Sequence, residues 1–72
     1  MKELKDFRIS IGLTINEMSE KIGVSKSFYE KIEMGIRVPS SNFIKKLKIQ
    51  FPQFDTNIFF WYFTTLKVNY QI

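Results

Sequence analysis

The sequence contains no cysteine and no histidine. Without cysteine there is no disulfide and no thiolate metal site. Without histidine the commonest general base and the commonest metal ligand are both missing. No carboxylates cluster and no glycine-rich loop stands ready to cradle a phosphate, so neither an enzyme nor a metal or cofactor is expected. Long apolar runs are missing too. The most apolar window, "IFFWYFTTL", is about half the length needed to cross a bilayer. The opening "MKELKDF" carries acidic residues and lacks the apolar stretch of a signal peptide. The expectation is a cytoplasmic protein with no membrane partner. Acidic residues are scarce in the second half. From Gly35 onward Asp55 alone faces Arg37, Lys45, Lys46, Lys48 and Lys67, whereas before Gly35 six basic residues balance six acidic ones.

What is present fits one small domain of 72 residues, with no room for a separate sensor domain and no small-molecule ligand expected. A domain of this size buries only about 60% of its unfolded surface. Twelve aromatic residues offset that, because each buries a large area. A net charge of +4 and an isoelectric point near 9.5 favour a polyanionic partner.

The few glycines and prolines punctuate the chain. Leu4, Phe7 and Ile11 have helical spacing, and Gly12 ends that helix. Thr14 with Glu17 three residues on is a capping box for a second helix striped by Met18 and Ile22, with small Ser19 permitting close approach of a neighbour. Gly23 stops it, Val24 plugs the turn into the core, and Ser25 caps a third helix. That helix carries Tyr29 and Ile32 on its inward stripe, with Phe28 beside them, and ends at Gly35. Pro39 and Ser40 set up a fourth helix striped by Phe43, Ile44, Leu47 and Phe51, which Pro52 ends. Asp55 caps a fifth, "TNIFFWYF", apolar on nearly every face. In the tail Leu66, Val68, Tyr70 and Ile72 alternate with Lys67, Asn69 and Gln71, the period of a strand. The domain is expected over residues 1–65, with 66–72 as a separate tail.

Two short helices joined by a tight glycine-containing turn make a helix-turn-helix. The spacing of Arg8, Gly12-Leu13-Thr14, Glu17-Met18-Ser19, Gly23-Val24-Ser25, Ile32-Glu33, Gly35 and Pro39-Ser40 resembles the Cro/C1-type, or XRE-like, helix-turn-helix family over about residues 3 to 55. The resemblance implies an all-α, λ-repressor-like bundle of about five helices, here with a short C-terminal β-strand as the one addition. It also implies that the third helix lies in the major groove of double-stranded DNA, its first residues on base edges.

Carried over position by position, the resemblance makes Lys26, Ser27, Glu30 and Lys31 base contacts. Phe28 falls where the family often has an exposed residue near DNA, which suits a thymine methyl. Glu30 suits cytosine N4 or a solvated charge equally. Phosphate contacts fall to Asn16, Arg37, the amides of Ser41 and Asn42 at a helix N-terminus, and Lys45. Lys46 and Lys48 read mostly as solvated. Arg8 and Glu33 are expected to form a partly buried, bidentate pair. The chain departs from the family pattern at Ile15, where a phosphate-contacting Gln is usual, at Lys48, and at Ile9 and Ile11.

The function implied is a sequence-specific transcriptional regulator, a repressor of a phage or mobile element. The alternative is a protein-interaction module on the same fold, an antitoxin or anti-repressor, which Ile15 and the surface apolar residues favour. A homodimer is expected, because paired half-sites need twofold symmetry. The alternating tail supplies it by pairing antiparallel with its mate. That would put Leu66, Val68, Tyr70 and Ile72 on one face, covered by Trp61 or Phe63. Pairing through the fifth helix, or a tail folded back on its own bundle, are the competing arrangements.

Overall fold

A hydroxyl opens three helices of the computed structural model, which describes residues 1–59. The elements are α1 (Lys2–Ser10), α2 (Ile15–Ile22), α3 (Lys26–Glu33) and α4 (Ser41–Gln50), and helical residues resume at 57–59. The architecture is all-α, with no strand among the described residues. Trp61, Phe63 and the alternating segment 66–72 lie outside the described residues.

The helix ends follow from local chemistry. Thr14 Oγ1 accepts the Glu17 amide at 3.1 Å and Glu17 Oε1 accepts the Thr14 amide at 2.9 Å, so two otherwise orphaned donors are satisfied. The bond from the Thr14 amide holds the Glu17 carboxyl below its ordinary range. Ser25 and Ser40 accept the amides of Phe28 and Phe43, each at 3.1 Å. Between α2 and α3, Gly23 takes φ +88°, a left-handed conformation in which a side chain is strained. The Val24 amide then bonds back to the Ser19 carbonyl at 3.0 Å, closing the end of α2 while the Val24 side chain packs on the core. At the start of α1 the Met1 ammonium donates to the Glu33 carbonyl, linking it to the last turn of α3.

The stripes meet as their periods require. α2 packs against α3 and α4, and α1 against α3. Leu4, Met18, Ile22, Tyr29, Ile32, Phe43, Leu47, Phe51, Phe54 and Phe59 form one core. Ser19, 1% exposed, lies where a larger side chain would hold the helices apart. Aromatic contacts close the far side: Phe7 meets Phe54 at 4.9 Å between ring centroids and Phe51 at 5.7 Å, and Phe43 meets Phe59 at 6.4 Å. Phe59 is thus a core residue at the start of the aromatic run.

Candidate nucleic-acid interface

Burial of Tyr29, Ile32 and Glu33 fixes which side of α3 faces outward. At about 100° per residue, Ser27, Lys31 and Met34 fall on the opposite line, with Glu30 on one flank and Phe28 on the other. Lys26, on the Glu30 side of the first turn, is exposed, as are Ser27 and Lys31. Met34, just past the helix and 65% exposed, extends this face with an apolar residue that the periodicity gave no reason to single out. Glu30 is half-buried and helps line a cleft of about 310 Å³ with Lys5, Arg8, Ile15, Glu33 and Met34.

Phe28 departs from expectation. It is half-buried, not an exposed residue. Its ring meets Phe43 of α4 at 5.9 Å and 66°, and the Arg37 guanidinium lies 5.0 Å above its centroid. Phe28 thus packs on the edge of the core, between Phe43 and Arg37, instead of standing free of the helix.

The candidate phosphate groups surround this face in sequence. Ser41 and Asn42 occupy the first two positions of α4, where backbone amides have no intrahelical partner. Neither α3 nor α4 has an acidic residue in its first turn, which keeps both positive dipole ends unopposed. Lys45 is exposed one turn into α4. Asn16 is exposed, and its Nδ2 donates to Glu20 Oε1 at 3.3 Å. Lys46 differs from the solvated residue expected: its Nζ donates to the Gly23 carbonyl at 3.3 Å, placing a cation at the end of α2.

Beneath the face, Arg8 Nε and Nη2 donate to the two Glu33 oxygens at 2.7 and 3.2 Å, and Arg8 Nη1 donates to the Leu13 carbonyl at 2.8 Å. Both residues are at least nine-tenths buried. The bond to Glu33 raises the Arg8 pKa above its ordinary value, so the guanidinium stays charged. The pair ties the end of α3 to α1 and to the loop before α2, fixing the outward line of α3 from behind.

A helix-turn-helix family model matches residues 4–48, from α1 through most of α4. The chain belongs to the Cro/C1-type helix-turn-helix family, a family of DNA-binding regulators. No curated protein and no solved structure matches it. Among the described residues no helix is long and apolar enough to cross a membrane, and no three His, Cys, Asp or Glu side chains group in a way that would hold a metal ion. In this Cro/C1-type chain the residues of the turn, Gly23 to Ser25, lie within the matched span, as does every residue proposed for DNA contact.

Proposed function

We propose that the chain is a sequence-specific double-stranded DNA-binding transcriptional regulator, a repressor of a phage or mobile element, with α3 in the major groove. The observation that carries this reading is the division of α3. One side is locked to the core by Tyr29, Ile32 and the Arg8–Glu33 pair, the opposite line presents exposed Ser27 and Lys31, and exposed Lys26 stands on the flank at the first turn. A helix held rigidly along one side with polar and basic residues on the other is suited to base-edge readout. Lysine donates to guanine O6 or N7, serine contacts either strand, and Glu30 on the flank suits cytosine N4. Asn16, Arg37, Lys45 and the amides of Ser41 and Asn42 are assigned to phosphates, which set register and not sequence. Dimerisation is assigned to the segment beyond residue 65, giving two copies of α3 for two half-sites. Selection of bound sequences from a random duplex pool tests the reading. A regulator of this kind yields a palindromic consensus, and recovery of random sequence would contradict it.

A second reading is favoured by one observation. Ile9, Met34, Ile36, Val38 and Ile49 are 44–75% exposed, and exposed apolar side chains are what a protein partner would cover. A protein-interaction module on the same fold, an antitoxin or anti-repressor, would use it. Its binding would vary little with salt, whereas a phosphate-contacting interface loses affinity steeply.

A further inference from the structure

We propose that Phe28 is a positioning residue: braced by Phe43, its ring holds the Arg37 guanidinium beside the first turn of α3, so that phosphate contact and base reading keep a fixed relation. The inference rests on the DNA-binding reading above and adds to it a fixed geometry for Arg37.

Three joints carry it. The first is at the backbone of Arg37. The amides of Ile36 and Arg37 both donate to the Lys31 carbonyl, at 3.0 and 3.2 Å, so the loop leaving α3 folds back on its last turn. The second is at the side-chain end, where the guanidinium lies over the Phe28 ring at 5.0 Å. A guanidinium is attracted by the negative face of an aromatic ring, and stacking there leaves its in-plane N–H donors available to an anion. An otherwise freely rotating exposed arginine is thereby held at both ends, which lowers the entropy lost when it engages a phosphate.

The third joint is Phe43. Its ring supports Phe28, and its amide bonds to Ser40 Oγ at the start of α4. The same residue therefore fixes the helix start that presents the Ser41 and Asn42 amides. Phe43 is itself 1% exposed and packs against Tyr29 and Phe59, so the platform is anchored in the core. Half-burial of Phe28 follows: one side of its ring serves α4 and another serves Arg37. Leucine at 28 would fill much of the same space against Phe43 but offer no ring face.

The test is a double-mutant cycle of Phe28→Leu and Arg37→Ala, read by duplex binding across a salt series, with melting curves as a control for folding. Phe28→Leu is expected to weaken operator and random duplex alike by about 2- to 10-fold, the cost of ordering one free arginine side chain on binding expressed as affinity. Arg37→Ala weakens both at least as much and lowers the salt slope by about one. The double variant binds no more weakly than Arg37→Ala alone, and Phe28→Tyr, which keeps the ring, stays near wild type. Additive losses, or a Phe28→Leu effect confined to one base pair, would overturn the positioning role while leaving DNA binding intact. No duplex binding by the wild-type chain would overturn both. If Phe28→Leu does not fold, the proton shifts of the Arg37 side chain in the free wild-type protein decide. Upfield displacement by the ring current supports the stack, and ordinary arginine shifts refute it.

Discussion

Arg8 and Glu33 show how one pair of residues can fix a helix that reads something else. Each is charged and at least nine-tenths buried, and the bidentate bond compensates for the water both have lost. Glu33→Gln leaves the guanidinium buried and unpaired, so unfolding in denaturant should show a loss of roughly 3–5 kcal/mol. That is a large share of the roughly 5–15 kcal/mol a domain has in total, so the melting point is expected to fall well below that of wild type. A melting point within a degree of wild type would contradict the buried pair. Tyr29 presents the opposite case. Its hydroxyl is buried and makes no hydrogen bond among the described residues. Burial first, then the Glu33 carboxylate, hold its pKa well above the ordinary 10.0. The folded chain therefore keeps the proton when the unfolded chain releases it. The phenol has no effect on stability below pH 10 and above it removes about 1.4 kcal/mol per pH unit. Tyr29→Phe should be as stable as wild type at pH 7, or more stable by about 1 kcal/mol. It should also lose that part of the alkaline decline. Destabilisation of 2 kcal/mol or more at neutral pH would mean that the hydroxyl has a partner.

At the scale of elements, the turn between α2 and α3 is set by Gly23 at φ +88°. An added Cβ there meets nothing within 4 Å, so the penalty of Gly23→Ala is that of the backbone alone, about 1–2 kcal/mol. Gly23→Asn should lose less, because asparagine tolerates the left-handed region better. Equal melting points for Gly23→Ala and wild type would contradict the strained turn. This turn was legible in the sequence because its parts are local: a glycine, a small apolar plug and a hydroxyl in three consecutive residues. The capping box of Thr14 and Glu17 was legible for the same reason. Contacts between elements were not. Lys46 reaching the Gly23 carbonyl depends on where α4 lies against α2, and no period along α4 encodes that. Phe28 was expected at the DNA because the resembled family often has an exposed residue at that position. The aromatic partner on α4 and the arginine that folds back over it lie 15 and 9 residues further along the chain. The Arg8–Glu33 pair came from resemblance, since two charges 25 residues apart have no spacing rule that joins them.

For the whole molecule, the proposal is that two copies pair through the tail to read half-sites about 34–36 Å apart. A chain ending at Thr65 should sediment as a folded monomer at micromolar concentration and bind a half-site weakly. A truncated chain that remains dimeric would move the interface off the tail. In this arrangement α3 is proposed to read bases while the groups around it hold phosphates. Competition binding of wild type and Lys26→Ala, on a selected operator and on random duplex across a salt series, tests it most directly. Wild-type affinity is expected to fall steeply with salt. Lys26→Ala is expected to lose about 1–3 kcal/mol on the operator, relax preference at one base pair and change little on random DNA. Wild-type binding indifferent to salt, or equal losses for Lys26→Ala on both duplexes, would contradict it.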